Sequence, residues 1–433
     1  MFRQMTRQVS NMDTYSLTGK VENIVGMSIE ASGGRAAVGD ICRIYDGESG
    51  KRVTAEVVGF KQGRMLLMPY SDLNGISAGS FVRNTGKQMT LQIGEFLRGR
   101  IINAMGQPLD GKGGFEIGVP YCVTGRAMNP LERPRIKDRM EFGVKAIDGM
   151  LTIGKGQRIG IFAGSGVGKS TLMGMIAKNV KADINVIALV GERGREVLEF
   201  VEKDLGEEGM RRSVLVVATS DQPAMLRMKC PSVATGIAEY FRDQGYDVLL
   251  MMDSLTRFAM AQREIGLAIG EPPVARGYTP SIYAELPKLL ERSGNFAKGS
   301  ITGVYTVLVE GDDTNEPISD TVRGILDGHI VLSRTLANSN HYPAIDVSAS
   351  ISRLLPEITD QEHQQLASKI RDIISICEKN ADLVSIGAYK MGTNASLDYA
   401  LSKMDSVNRF LTQGINEAFS FEESLQIMRD ILR

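Results

Sequence analysis

The feature that most constrains this chain is a glycine-rich segment at 163–171, with the sequence AGSGVGKST. It follows the apolar run RIGIFA and precedes STLMGMIAKNV, in which apolar residues recur at helical spacing. A strand, a glycine-rich loop and a helix in this order are typical of a phosphate-binding loop, because backbone N–H groups and the positive end of the helix face the phosphates. The segment therefore predicts an α/β fold with a nucleotide site at one edge of a parallel sheet.

Two side chains supply the chemistry of this loop. Lys169 can neutralise the β- and γ-phosphate oxygens, and the Ser170 hydroxyl can bind Mg²⁺. At Ala163 the usual pattern has glycine, so the loop requires a negative φ there. A Gly-Lys-Ser triplet also arises by chance, but the third glycine and the strand–loop–helix setting argue against that alternative. The residues predicted to contact nucleotide are Gly164, Ser165, Gly166, Val167, Gly168, Lys169, Ser170 and Thr171.

Two acidic residues follow buried-strand patterns and could complete an ATPase site. Asp253 ends the run DVLLMMD, where a carboxylate can organise Mg²⁺. Its alternative role is to cap the helix that begins at SLTRF. Glu192 follows NVIALV in the segment GERGRE and could polarise the attacking water as a general base. The alternative is a solvated helix start, in which Glu192, Arg193, Arg195 and Glu196 form local ion pairs.

Three further residues are weaker predictions from the sequence. Arg353, in SISRLLPE, could stabilise transition-state charge in the site of a neighbouring subunit, although a surface ion pair explains it equally well. Tyr342, in HYPAID, and Phe421 could pack against adenine, although single aromatic residues more often lie in the core.

The pattern along the chain predicts four regions. An N-terminal segment, 1–15, precedes short Val- and Ile-rich runs separated by turn residues at 16–94, which indicate an all-β barrel. Residues 95–353 alternate continuous apolar runs with helical segments, as in the βαβ units of a parallel sheet. Residues 354–433 carry apolar residues three and four positions apart and predict a helical domain.

Composition narrows the possible functions. Basic and acidic residues number 50 and 51, so the net charge of −1 argues against a general nucleic-acid or lipid-surface binder. The start lacks the apolar stretch of a secretory signal, and no run reaches the 18 or so apolar residues of a membrane helix. We therefore expect a cytoplasmic protein without direct membrane insertion. The cysteines and histidines lack metal-ligand spacing: Cys42, Cys122, Cys230 and Cys377, and His329, His341 and His363.

Long segments resemble a known family. The chain is similar to the catalytic ATPases related to the β and A subunits of F-type and V-type ATPases, and most similar to the flagellar type III export ATPases. The segments that carry the resemblance are GVKAIDGMLTIGKGQRIGIFAGSGVGKST, VGERGREVLEFVEKDLGEEG, VVATSDQPAMLR, AEYFRDQGYDVLLMMDSLTRFAMAQREIGLAIGEPP, KGSITGVYTVLVEGDD, VRGILDGHIVLSR and HYPAIDV. The resemblance implies a RecA-like core, ATP as substrate with Mg²⁺, and a ring of six identical subunits.

By position, the resemblance implies roles for several residues. Glu192 matches the catalytic glutamate, with Arg193 beside it, and Asp253 matches the Walker B aspartate. Arg353 matches the arginine finger that enters the adjacent subunit's site. Tyr342 matches the adenine-stacking tyrosine. Phe421 matches a second adenine-facing aromatic residue, but Ile415 occupies the other position of that pair.

Two features of the sequence favour protein export over ion-driven ATP synthesis. The C-terminal region carries YKMGTNASLDYAL where rotary β subunits carry an acidic DELSEED-like segment. The AGSGVGKS loop and the segment LAIGEPP are more similar to flagellar members than to those of virulence injectisomes. The alternatives are an injectisome ATPase, a rotary catalytic subunit and a Rho-like RNA translocase. The last of these requires a basic, aromatic RNA-binding face, whereas this chain has no Trp.

The resemblance also implies partners and a location. The partners are further copies of the chain, a stator-like regulator, a central coiled-coil stalk protein, the membrane proteins of the export gate, and chaperone–substrate complexes. Hydrolysis would release or unfold export substrates at that gate. The protein would be cytoplasmic and peripherally associated with the inner-membrane export apparatus, with no nucleic acid among its partners.

Overall fold

The computed structural model describes residues 17–115, 117–125, 129–309, 311 and 316–433. The predicted N-terminal segment, 1–15, lies outside the described residues. None of the helices in the described ranges is both long enough and apolar enough to cross a membrane.

The first six strands close into a barrel in the order β1-β2-β5-β4-β3-β6, with every neighbouring pair antiparallel. Side chains such as Ile29, Ile44 and Leu67 fill its interior and are fully buried. Closure removes the free edges of the sheet, and the all-β prediction is confirmed. The strands are β1 Thr18–Val25, β2 Ser28–Ser32, β3 Ile41–Tyr45, β4 Arg52–Lys61, β5 Arg64–Pro69 and β6 Phe81–Asn84.

Short strands connect the barrel to the central domain. One of them, β8, joins the edge of the central sheet, and the others form two antiparallel pairs, β7 with β9 and β10 with β11. Their bounds are β7 Thr90–Ile93, β8 Ile101–Asn103, β9 Val119–Cys122, β10 Arg139–Met140 and β11 Ile153–Gly154.

A largely parallel sheet forms the central domain, as predicted. Its strands follow the order β19-β18-β12-β17-β15-β13-β14-β8, and β16 pairs with β17. Within this sheet, β18–β19 and β16–β17 are the only antiparallel pairs among the described strands. Core strands such as β13 are buried at every position, because helices cover both faces. The bounds are β12 Arg158–Ala163, β13 Ile184–Val190, β14 Ser213–Ala218, β15 Asp247–Asp253, β16 Gly294–Asn295, β17 Ser300–Leu308, β18 Gly328–Leu332 and β19 Ile345–Ser352.

Helices of the central domain follow the strands. They are α1 Lys145–Met150, α2 Lys169–Asn179, α3 Gly194–Glu199, α4 Gly206–Arg211, α5 Ala224–Asp243, α6 Leu255–Ile269, α7 Pro280–Leu290, α8 Pro317–Ile325 and α9 Arg334–Asn338. A π-helical turn at Phe200–Leu205 joins α3 to α4, and single 3₁₀ turns lie at Glu95–Leu97, Pro130–Glu132 and Ala275–Gly277.

The C-terminal region is helical, as predicted, and packs against α1. Gly149 makes this approach close, because a Cβ there would lie 2.7 Å from Phe410 Cζ. Polar contacts add to it: His363 Nε2 lies 2.6 Å from the Gly149 oxygen, and Arg371 donates to the Met150 oxygen at 2.9 Å. The helices are α10 Leu355–Ile358, α11 Gln361–Lys379, α12 Ala381–Ser385, α13 Ala395–Leu411 and α14 Phe421–Leu432.

A buried polar contact ties the barrel to the central domain. Lys229 on α5 donates to Glu56 Oε1 of β4 at 2.7 Å, and the Tyr70 hydroxyl donates to the other oxygen of Glu56. Burial, reinforced by the Glu56 charge, raises the pKa of Tyr70 well above its usual range. The hydroxyl therefore stays protonated and serves as a donor.

Candidate active site

The phosphate loop takes the conformation that its glycines permit. Gly166 and Gly168 have φ values of 79° and 90°, in the left-handed region that favours glycine. Ala163 ends β12 without a positive φ, so alanine meets the condition set by the sequence pattern. The helix α2 begins at Lys169, directly after the loop, and its free N–H groups face the same space as the loop backbone.

A cavity of about 710 Å³ lies over this loop, and we call it the phosphate cavity. It opens at the carboxyl ends of the central strands, where ligands of α/β proteins bind. The residues that line it are Gly164, Ser165, Gly166, Gly168, Lys169, Ser170, Thr171, Glu192, Arg193, Glu196, Thr256, Arg257, Met260, Leu308, Val309, Gly311, Glu316 and Arg334.

Strand register brings the predicted charged residues together. Asp253, the last residue of β15, pairs with Leu189 of β13, so Glu192 follows within three residues on the adjacent strand end. Lys169 donates to Asp253 Oδ1, and its Nζ lies 3.7 Å from Glu192 Oε1. Thr306 of β17 also donates to Asp253 Oδ1, at 2.7 Å. Both acidic side chains are buried, and the lysine links them at the floor of the cavity.

The environment of Glu192 favours a protonatable carboxyl group. Burial is the largest influence, and together with the Asp253 charge it raises the pKa of Glu192 to about 7. The charges of Lys169 and Arg257 act in the opposite direction. A carboxylate with a pKa near neutrality can accept a proton from water and release it again, as a general base requires.

Arg257, on α6, is a site residue that the sequence analysis missed. Its Nε lies 3.3 Å from Glu192 Oε1, and its side chain lines the phosphate cavity. Gly191 makes room for it: φ is 70°, and a Cβ there would lie 2.7 Å from Arg257 Cδ. The glycine between a buried strand and Glu192 was the available signal, since only glycine fits a positive φ under such a close approach.

A second cavity, of about 850 Å³, lies between the central domain and the C-terminal helices, and we call it the base cavity. The Tyr342 ring lies against the phosphate loop, since a Cβ on Gly168 would be 3.4 Å from its Cδ1 and Cε1. Ile415 and Phe419 also line this cavity. The residues that line it are Lys145, Gly166, Gly168, Thr171, Leu172, Met175, Asn340, Tyr342, Pro343, Arg409, Thr412, Gln413, Gly414, Ile415, Glu417 and Phe419.

Phe421, predicted to face adenine, does not line this cavity. It is the first residue of α14, is 3% exposed, and packs edge-to-face on His363 with a ring separation of 5.3 Å. Ser420 caps α14 and marks the change from extended chain to helix, which directs Phe421 into the core. Phe419, two residues earlier, is the aromatic residue that lines the base cavity.

The two cavities meet at Gly166, Gly168 and Thr171, which line both. Together they form one groove with a polar end over the loop and an aromatic end at Tyr342. A nucleoside triphosphate has the same division into a charged chain and a flat apolar ring, so the groove matches its chemistry.

Of the two arginines predicted for the site, one lines the groove and the other does not. Arg193 lines the phosphate cavity, and its exposed guanidinium donates to Glu196 at 3.3 Å. Arg353 lines neither cavity. It follows β19, is exposed, and donates to the Arg323 oxygen at 3.5 Å. Within one chain, the structure therefore does not bring Arg353 to the site.

Family models match most of the chain. The nucleotide-binding domain of the ATP synthase alpha/beta family matches residues 143–352, and the beta-barrel domain of that family matches 21–86. The C-terminal domain of the type III secretion ATPase EscN matches 359–430. The chain belongs to the type III secretion ATPases of the ATP synthase alpha/beta family. This ATPase is thus an ATP-hydrolysing enzyme of that family, and the predicted resemblance is confirmed.

Relatives of this ATPase have two kinds of name. The flagellum-specific ATP synthase of Bacillus subtilis (strain 168) is 54% identical over 97% of this chain and 96% of its own. The type 3 secretion system ATPase of Sinorhizobium fredii (strain NBRC 101917 / NGR234) is 46% identical over 96% of this chain and 92% of its own.

Solved structures agree with the fold of this ATPase. The assembled ATPase EscN of the enteropathogenic E. coli type III secretion system has a TM-score of 0.91 and 43% identity, covering 96% of this chain and all of that one. A second structure, of assembled EscN with its central stalk EscO, has a TM-score of 0.89 and 42% identity, covering 96% of this chain and all of that one.

Proposed function

We propose that this chain hydrolyses Mg·ATP as a ring of six identical subunits and thereby energises flagellar type III protein export. The observation that carries the proposal is the single groove that joins the aromatic base cavity to the phosphate cavity, with Glu192 buried at its phosphate end. Such a groove presents the triphosphate to a carboxyl group whose pKa is raised to about 7.

In this proposal the side chains at the phosphate end share the chemistry. Backbone groups of 164–171 bind the phosphates, and Lys169 neutralises their charge. Glu192 accepts a proton from water as the water oxygen bonds to the γ-phosphorus and the bond to the bridging oxygen breaks. ADP and phosphate are the products. At the other end, Tyr342 and Phe419 hold the base between their rings.

The donors present suit Mg²⁺. The Ser170 hydroxyl is exposed in the phosphate cavity, and the buried Asp253 carboxylate accepts a hydrogen bond from Lys169, which lines that cavity. Oxygen ligands of this kind, completed by phosphate and water, are what Mg²⁺ prefers. Ser170 and Asp253 would hold the ion, which when bound neutralises charge on the phosphates.

The position of Arg353 supports a ring. Its exposed guanidinium lies outside both cavities, and Ile351, two residues earlier in β19, is 46% exposed. An arginine finger supplied in trans must lie outside its own site and on the surface. In the proposed ring, Arg353 enters the phosphate cavity of the adjacent subunit, as the family resemblance implies.

The names of the relatives support the role in export. Flagellum-specific ATP synthases cover nearly the whole chain, and the EscN structure with EscO supports a central stalk as a partner. The proposal adds a stator-like regulator, the export-gate membrane proteins and chaperone–substrate complexes. It places the protein in the cytoplasm, at the inner-membrane export apparatus.

ATP turnover of the Glu192→Gln variant tests the chemistry. Because the amide cannot accept a proton, we expect turnover to fall by about 10²-fold or more, while nucleotide binding stays within about twofold of wild type. Steady-state phosphate release and equilibrium binding of a fluorescent ATP analogue measure the two effects. Retained turnover would remove Glu192 as the base.

Complementation tests the biological role. The chain is expressed in a bacterium that lacks its flagellum-specific ATP synthase, and export of hook and filament proteins is measured. Recovered export with the wild type, and none with Glu192→Gln, is the expected result. Recovery only in a strain that lacks its injectisome ATPase would favour that alternative, which relatives named type 3 secretion system ATPase also support.

A further inference from the structure

We propose that Gln413 is a positioning residue for nucleotide-base binding, because its side chain and backbone tie together the three chain segments that wall the base cavity. The three segments are 143–145 before and within α1, the loop that carries Tyr342, and the 417–419 stretch that carries Phe419. This inference rests on the proposed function, since it assigns a nucleotide base to that cavity.

The contacts of Gln413 account for both donors of its amide. Nε2 donates to the oxygens of Gly143 and Glu417, each at 2.9 Å. Oε1 accepts from the backbone nitrogen of Lys145 at 2.9 Å, and the Gln413 nitrogen donates to the Tyr342 oxygen at the same distance. The residue is 7% exposed. Because its N–H groups are already donated, the amide can position the cavity wall but has no N–H left for a base.

Lys145 shows what Gln413 holds in place. The Lys145 ammonium lies 4.5 Å from the centre of the Phe419 ring and donates to the Arg409 oxygen at 3.2 Å. Burial lowers the pKa of Lys145. A cation over the face of an aromatic ring holds that ring in place, and both Lys145 and Phe419 line the base cavity. Gln413 fixes the backbone on which both side chains depend.

Gln413 connects the C-terminal helices to the central domain. It lies just after α13, and its partners Gly143 and Lys145 belong to the central domain. Loss of its hydrogen bonds removes the acceptor of the Lys145 N–H, and leaves the Gly143 and Glu417 oxygens only their longer contacts, with the Phe419 nitrogen and Asn179 Nδ2, each at 3.4 Å. The walls of the base cavity then separate, while the phosphate loop, held by β12 and α2, keeps its shape.

The Gln413→Met variant tests the inference, because it keeps the side-chain length and removes the hydrogen bonds. We expect the KM for ATP to rise by about tenfold with kcat within about twofold, since the lost interaction is with the base and not with the transition state. The inhibition constant of inorganic tripolyphosphate, which occupies only the phosphate cavity, should stay within about twofold. A merely structural defect would move both constants together.

Gln364→Met is the matched control. Gln364 also donates from Nε2 to two carbonyl oxygens, of Pro356 and Thr359, but lies outside the base cavity. Its KM for ATP should stay at the wild-type value. Gln413→Glu provides a second test if the methionine variant folds poorly, because it keeps the acceptor for Lys145 and loses both donors. It should raise the KM in the same direction by a smaller factor.

The outcomes separate this inference from the proposed function. Wild-type turnover with an unchanged KM in both Gln413 variants overturns the positioning role alone. Equal rises in the KM for ATP and in the tripolyphosphate constant also overturn it, because they show a general loosening of the site. Absence of ATP turnover in the wild-type chain overturns the proposed function instead.

Discussion

At the scale of single residues, the site contains two buried carboxyl groups and one lysine that contacts both of them. Lys169 is the one cation that contacts both Asp253 and Glu192 directly among the described residues. Burial and the nearby Asp253 charge raise the pKa of Glu192, and the lysine, hydrogen-bonded to Asp253, offsets only part of this rise. In the proposed mechanism, Asp253 holds the metal ion and Glu192 accepts the proton, because the environments of the two carboxyl groups differ.

The raised pKa of Glu192 predicts an acid limb in the pH profile. A general base works when ionised, so kcat/KM should fall as the pH drops below about 7 and level off above it. A phosphate group of the substrate also titrates, near pH 6. A further experiment must therefore show whether the acid limb comes from Glu192 or from the substrate. The Arg257→Met variant does this: loss of a charge that lowers the pKa of Glu192 should move the limb to higher pH.

Arg195→Met is the control for this pH profile. Arg195 is 77% exposed and pairs with Glu199, and it is not among the charges that act on Glu192. In steady-state assays between about pH 5.5 and 9, the acid limb of the Arg195→Met variant should lie at the same pH as that of the wild type. A limb that stays in place in Arg257→Met would belong to the substrate and would contradict the assignment to Glu192.

Sequence reasoning predicted most of the phosphate end and less of the base end. Lys169, Ser170 and Glu192 follow strands and Asp253 ends one, and parallel strands bring their carboxyl ends to one edge. Aromatic residues of the base cavity have no such rule. Phe419 precedes α14, whereas Phe421 is its first residue. An error of two residues in a predicted helix start is therefore enough to select the wrong aromatic ring for the cavity.

At the scale of secondary structure, the phosphate-loop helix α2 packs unusually close to the π-helical turn at Phe200–Leu205. A Cβ on Gly174 of α2 would lie 2.6 Å from Asp204 Cβ and 2.8 Å from the Asp204 oxygen. The extra residue of a π turn widens the helix at this point. The turn follows α3, which begins two residues after Glu192, so this contact connects both halves of the phosphate cavity.

This contact predicts that Gly174→Ala destabilises the protein. Alanine favours a helix over glycine by about 1 kcal/mol, but the added carbon meets backbone atoms of Asp204 that cannot rotate away. We expect a net loss of about 1–3 kcal/mol in the free energy of unfolding, measured by denaturant titration. Gly324→Ala is the control, because Gly324 is exposed in α8 with nothing within 4 Å of its Cβ position. Equal stability of the two variants would contradict the close approach.

The strands differed in how well the sequence predicted them. Runs such as INVIALV in β13 are buried throughout and form a continuous apolar signal. The last strand, β19, was missed, because IDVSASIS is an edge strand with a mixed pattern of buried and exposed residues. Three serines in eight residues look like a loop in the sequence, although Ser350 and Ser352 are buried, and only the pairing with β18 identifies the strand.

At the scale of the whole molecule, the proposed ring shares each active site between two subunits. Glu192 lines the cavity of its own chain, whereas Arg353 lines neither cavity. A complete site then needs Glu192 from one subunit and Arg353 from the next. This division gives a test in which two inactive proteins restore activity to each other.

We predict that mixing the Glu192→Gln and Arg353→Ala variants restores ATP turnover. In a random equal mixture, about a quarter of the interfaces combine an intact Glu192 with an intact Arg353, so activity should approach that fraction of wild type. Turnover is measured after the subunits have exchanged, at protein concentrations that support assembly. Each variant alone should stay inactive at every concentration. A mixture no more active than its components would show that Arg353 does not act across subunits.

The strand order of the central sheet also determines when, during translation, the strand pairs beside the phosphate loop can form. The strand that leads into the phosphate loop, β12, pairs only with β17 and β18 within the sheet, and Arg158 is matched with Gly303 and Gly160 with His329. Both partners emerge from the ribosome long after β12 itself. Such distant pairings fold slowly, because a long loop must close before they form. The nascent chain therefore cannot complete the strand pairs beside the phosphate loop until β18 has been made, which ends at Leu332, beyond three quarters of the 433 residues.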